Sequence, residues 1–107
     1  MSVRLQRQAP YLKTLFDASR APRRRNLLLR HANKDQINAV SELVLNTLKN
    51  NVPLTPPLTA QLRRYKNVLR EVGKRKNSLK RRRQHLLNQK GHGFWTGLRQ
   101  VCHCVLP

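Results

Sequence analysis

The excess of positive charge is the first limit on how this chain can fold. Lysines and arginines number 23 against four acids, Asp17, Asp35, Glu42 and Glu71, for a net charge of +19. Charged side chains are almost never fully buried unless paired, and four acids cannot pair so many cations. A compact state must therefore turn most of them to solvent, where they repel one another. A phosphate polymer would relieve that repulsion, and an anionic membrane surface is the second kind of partner. The charge is also uneven. Residues 1–33 carry +7, residues 34–60 no net charge, residues 61–90 +11 and residues 91–107 +1. A neutral, apolar segment between cationic ones points to a packing element flanked by binding elements.

That neutral segment begins as a well-marked helix over 34–50. Asn33 is a good N-cap, and Gln36 three positions on completes the capping-box spacing. Ile37, Val40, Val44 and Leu48 recur at steps of three and four, with Leu45 widening the stripe. Asn50-Asn51-Val52-Pro53 predicts a stop, and Thr55-Pro56 a new cap and first helical position. Leu58, Leu62, Tyr65, Leu69 and Val72 then form a heptad-like seam, which predicts one helix over 57–72. Past Gly73 only Leu79 and Leu86 keep that register, while Lys76 and Arg83 replace the other row. Residues 74–90 are therefore expected as a solvated cationic helix, ordered mainly when its charge is neutralised. Upstream, Pro10 suits the first turn of a helix over 10–17, and residues 23–31 suggest a second short one. Downstream, Gly91, Gly93 and Gly97 argue against a helix, so 91–107 is expected as a flexible tail despite Phe94, Trp95, Leu98 and Val101.

The expected fold is thus all-α, a small helical bundle or hairpin. It divides into a basic N-terminal arm with short helices (1–33), a helical hairpin core (34–73), a cationic helix (74–90) and a Gly/aromatic/Cys tail (91–107). No apolar run approaches the roughly 18 residues that a membrane span needs.

The densest functional signal is the basic set Arg23, Arg24, Arg25, Arg63, Arg64, Lys66, Arg70, Lys74, Arg75, Lys76, Lys80, Arg81, Arg82 and Arg83. Each can neutralise a phosphate and release a counterion. No zinc-finger spacing, RNP aromatic pair or homeodomain pattern is present, and helices 34–50 and 57–72 are joined by too long a connector for a helix-turn-helix. Binding to the nucleic-acid backbone with little sequence preference is expected, DNA before RNA. The competing reading is an assembly module. Its apolar seams would dock a partner or a second copy, and its cations would serve nuclear import or RNA and ribosome association.

Phe94 and Trp95 offer a stacking surface for bases, but one aromatic pair makes a poor platform and packing is the plainer account. Cys102, His103 and Cys104 are soft donors without the C-x-x-C spacing, and a tetrahedral site needs about four ligands, so no metal and no cofactor is expected. Catalytic residues are not expected either. His31, His85, His92 and His103 have no carboxylate close by in sequence, and no phosphate-cradling glycine loop exists.

The opening Gln8-Ala9-Pro10-Tyr11-Leu12, the helix Gln36 to Asn46 with Glu42, the proline-containing connector, Leu62 to Leu69, the cluster Lys74 to Arg83 and the segment Gln89-Lys90-Gly91-His92-Gly93 make up a layout over residues 8–95. In that layout the chain resembles the small basic core proteins of virus-like DNA elements, the Polinton or Maverick transposons and the adintoviruses. These are in turn similar to the minor core protein of adenoviruses. The resemblance implies a virion core protein that helps condense double-stranded DNA, found in the virion and the host nucleus, with capsid proteins or a second copy as further partners. It also implies a maturation-protease site cleaved between His92 and Gly93, for which a flexible glycine hinge is the simpler explanation. Cys102-His103-Cys104 depart from the apolar, glycine-rich end that family members often carry, which puts a capsid or membrane role for the tail in doubt.

Overall fold

Short-range signals start and stop most of the helices. A computed structural model describes residues 2–106, and among these it contains eight α-helices and no strand. α1 (Val3–Arg7) is capped by Ser2, whose hydroxyl accepts from the Leu5 amide. α2 (Ala9–Asp17) and α3 (Pro22–Arg30) each place a proline in the first turn, where its missing N–H breaks no helical bond. α4 (Lys34–Leu48) starts on a full capping box: Asn33 Oδ1 accepts from the Gln36 amide and Gln36 Oε1 from the Asn33 amide, both at 2.9 Å. It ends in a Schellman turn. Asn50 takes a left-handed φ of 58°, the Asn50 amide donates to Thr47 O, and the Asn51 amide donates to Asn46 O. Thr55 caps α5 (Pro56–Arg63), and Ser78 caps α7 (Leu79–Leu87) through Oγ and the Arg81 amide at 3.1 Å. Between them lies α6 (Lys66–Gly73), and the chain closes with α8 (His92–Val105).

The seam over 57–72 is not one helix. It breaks at Arg64–Tyr65, where Tyr65 adopts φ −108° and ψ 18°. The break lets the two halves serve different partners: α5 packs on α8, while α6 packs on α4. A heptad pattern records which residues turn inward, not whether one neighbour covers them all.

Residues 91–107 are likewise no flexible tail. α8 supplies Phe94, Trp95, Leu98 and Val101 to the interior, all fully buried. An aromatic row runs from Phe16 of α2 to Trp95 (6.0 Å between centroids), on to Phe94 (5.1 Å, edge-on) and then to Tyr65 (5.6 Å, edge-on). Gly93 and Gly97, which argue for flexibility in sequence, stand where α8 passes close to α5. A Cβ on Gly97 would lie 2.7 Å from Leu62 Cδ2, and one on Gly93 would collide with the Tyr65 hydroxyl. They are spacers between helices rather than hinges.

The cationic segments are folded in as well. α3 and α7 pack against each other, α7 also packs on α4 and α6, and Leu29 and Leu86 are fully buried. The expected division into arm, hairpin, extension and tail therefore gives way to one core fed by every helix. The Cα radius of gyration is 12.3 Å, close to the roughly 13 Å of a compact domain of this length. Among the described residues no helix is long and apolar enough to cross a membrane.

Candidate nucleic-acid interface

The interface is built from what the fold leaves outside. Three acids are spent holding helices together. Asp35 at the start of α4 accepts from Arg4, Arg7 and Gln8, at 2.6 Å from Gln8 Nε2 and 2.9 Å from Arg7. The Gln8 hydrogen bond, then that of Arg7, pull its pKa down to about 2. Asp17 accepts from Arg99 at 3.2 Å, which lowers its pKa and ties α2 to α8. Glu71 accepts from Asn77 Nδ2 at 2.8 Å, which with nearby Lys74 lowers its pKa and cinches the turn between α6 and α7. No ion pair to Glu42 is formed among the described residues. Acids therefore cancel little of the outward charge.

Two of the arginines expected to face phosphate face the interior instead. Arg82 is 4% exposed. Its Nε donates to Asn77 O, and one terminal nitrogen donates to Asn38 Oδ1 (2.9 Å) and Ser41 Oγ (2.8 Å) of α4. Arg25 is 2% exposed. It donates to Ser19 O at 2.8 Å and lies 4.7 Å over the Trp95 ring, whose own N–H donates to Gln89 O. Burial lowers the pKa of both guanidiniums. A buried cation without a carboxylate is expensive, and here carbonyls, an amide, a hydroxyl and a ring face take the place of one. Both residues leave the candidate set. Arg83 is half-buried and donates to Ala32 O at 2.8 Å, so it too is largely structural.

The remaining candidates are exposed: Arg23 and Arg24 on α3, Arg63 and Arg64 at the end of α5, Lys66 and Arg70 on α6, Lys74, Arg75 and Lys76 in the turn, and Lys80 and Arg81 on α7. Arg63 at the end of α5, Lys66 and Arg70 four residues apart on α6, and Lys74 just past its last residue form a strip of exposed cations in chain order. The turn over 74–78 carries that strip onto α7, and α3 lies beside α7 with Arg23 and Arg24. Lys74 and Arg81 approach Glu71 only at 3.5 and 3.9 Å from exposed positions, contacts of small energy that a phosphate can displace. Weighing charge alone passes over Gln84 and Asn88, exposed on the same side of α7 as Arg81 and hydrogen-bonded to each other at 3.0 Å. Their spacing from Arg81 was the available signal.

The other sequence candidates resolve differently. Phe94 and Trp95 are buried and cannot stack on bases. Cys102 is buried with its thiol pKa pushed up to about 11 by burial and by the charge of Asp17, while Cys104 is exposed. Among the described residues no group of three or more His, Cys, Asp or Glu converges to hold a metal. The His92–Gly93 bond lies in the first turn of α8, and Gly93 O accepts from Gln61 Nε2 at 2.9 Å. That segment is helical and tethered, not extended as a protease substrate binds. Of the seams that an assembly module would expose, Ile37-Val40-Val44-Leu48 and Leu58-Leu62-Tyr65-Leu69, all members but Leu48 and Tyr65 are buried within the molecule, and those two are half-buried.

Compared with known proteins, the chain matches no family model, no curated protein and no solved structure.

Proposed function

We propose that the protein is a non-enzymatic binder and condenser of double-stranded DNA, held mainly by contacts to the phosphate backbone. The observation that carries this reading is the strip of exposed cations from Arg63 through Lys76 to Arg81, which the acids leave almost uncancelled. Its scale also suits the partner. Duplex DNA carries one charge per about 1.7 Å, so the 33 Å long axis of the molecule spans about 19 phosphate charges. The protein brings +19. Molecules lying along a duplex would nearly neutralise the stretch they cover, which removes the repulsion that keeps duplexes apart. The resemblance to basic core proteins of virus-like DNA elements adds a setting, a virion core assembled in the host nucleus. Burial of most of its apolar seams in the core counts against the assembly-module alternative.

The test is electrophoretic mobility shift and pelleting with a mixed-sequence duplex. Binding is expected in dilute salt, weakening by about 10³–10⁵ between about 50 and 200 mM if about 6–10 phosphates are engaged. DNA should pellet near charge equivalence and redissolve in salt. A protein indifferent to duplex DNA in dilute buffer would overturn the proposal.

A further inference from the structure

α6, the turn over 74–78 and α7 are locked as one unit against α4. Asn77 Nδ2 donates to both Glu71 O and Glu71 Oε2 at 2.8 Å, which closes the turn on α6. Arg82 joins that turn, through Asn77 O, to Asn38 and Ser41 of α4. Leu86 and the Arg83–Ala32 bond fix the rest of the inner side of α7. This arrangement is similar in outline to a helix-turn-helix: two helices joined by a short turn, the second with one side turned outward and a third helix behind them. The connector between α4 and α5 is too long for that motif, whereas the turn between α6 and α7, at five residues, is close to the roughly three or four usual there.

The outer side of α7 differs from a plain electrostatic surface. Ser78, Arg81, Gln84, His85 and Asn88 fall on one face and, with Lys80, line one shallow hollow. Neutralising phosphates requires only cations, yet the middle and end of this face carry amides. Gln and Asn pair bidentately with adenine, and Arg with guanine, at base edges in the major groove. The length fits too: nine residues make a rod about 13 Å long at about 1.5 Å per residue, against a major groove about 12 Å wide.

We infer that α7 enters the major groove of duplex DNA with Arg81, Gln84 and Asn88 at the base edges, while Lys74, Arg75 and Lys76 hold the flanking phosphates. This rests on the DNA-binding reading above and adds a base preference to it. The experiment uses the full chain on a mixed-sequence duplex probed with dimethyl sulfate, which methylates guanine N7 in the major groove and adenine N3 in the minor groove. Bound protein should protect guanine N7 and leave adenine N3 reactive. Selection from randomised duplexes should yield a short preferred site. The double variant Gln84→Ala/Asn88→Ala should bind that site about tenfold more weakly per amide lost, with an unchanged salt slope because neither residue is charged. Both positions are exposed, so its circular dichroism and thermal midpoint should match wild type. If the protein binds but guanine N7 stays reactive and the double variant selects and binds as wild type does, α7 lies on phosphates alone. The groove assignment then fails while the DNA-binding reading stands. Tighter binding to duplex RNA, whose major groove is too narrow for a helix, also overturns it. Failure to bind any duplex in dilute salt overturns both readings.

Discussion

α7 carries Lys80, Arg81, Arg82 and Arg83 in succession and buries Arg82 and Leu86, whereas α8 carries the single arginine Arg99 and buries Phe94, Trp95, Leu98, Val101 and Cys102. The two helices follow one another in sequence and divide the work. α8 holds the core and contributes little charge, and α7 contributes charge and rests on the core that α8 helps to build. Stability and polyanion affinity should therefore respond to different substitutions. The largest expected effect is at Trp95, which is fully buried between Phe16, Phe94 and the Arg25 guanidinium. Trp95→Ala should cost about 3–5 kcal/mol, a large part of the about 5–15 kcal/mol that holds a domain together. Urea denaturation followed by circular dichroism measures it. On the outer side of α7, Arg81→Gln should change stability by no more than about 0.5 kcal/mol. Equal losses from the two substitutions would break the division.

A sharper cut runs through α7 itself, because Arg81 and Arg82 are adjacent and do different things. Arg81 is exposed, and Arg82 is bonded to α4 and to the α6–α7 turn. Arg82→Met keeps bulk but leaves Asn38 Oδ1, the Ser41 hydroxyl and Asn77 O without their donor. The expected loss is about 1–3 kcal/mol, read as a lower urea midpoint. Adding Asn38→Leu should recover part of it, since removing both partners of a buried hydrogen bond is less harmful than removing one. A double variant no better than Arg82→Met would show that Arg82 acts through packing of its stem.

This contrast also marks how far the residues could be read in advance. Helix caps and the interior stripe of α4 follow from local chemistry, so Asn33, Gln36, Thr55 and the Ile37-Val40-Val44 row were legible. The inward turn of Arg25 and Arg82 was not, because it depends on Trp95, Gln89, Asn38 and Ser41, partners distant in sequence or on other helices. Glycine has two physical uses, freedom and close approach, and nothing local to Gly93 or Gly97 says that Tyr65 and Leu62 stand against them. The cationic strip was visible as composition. Its division into outward and inward members needed the packing of α7 on α4.

The N-terminal arm supplies the smallest test of the same distinction between bound and free cations. Arg4 and Arg7 do not join the outward strip, because Asp35 accepts from both and from Gln8. These donors stabilise the ionised carboxylate, so the Asp35 pKa in the folded protein is about 2, below the roughly 3.9 of an unfolded chain. A depressed carboxylate pKa contributes stability that is fully present above the unfolded value and lost as pH falls through the folded one. Asp17 and Glu71 are shifted in the same direction, so total acid lability is not diagnostic and a difference is needed. Wild type should exceed Asp35→Asn in stability by a constant margin above about pH 5, and the margin should close between about pH 4 and pH 2. Urea midpoints across that range measure it. A margin that persists at the lowest pH would mean that Asp35 fastens α1 to α4 through neutral hydrogen bonds.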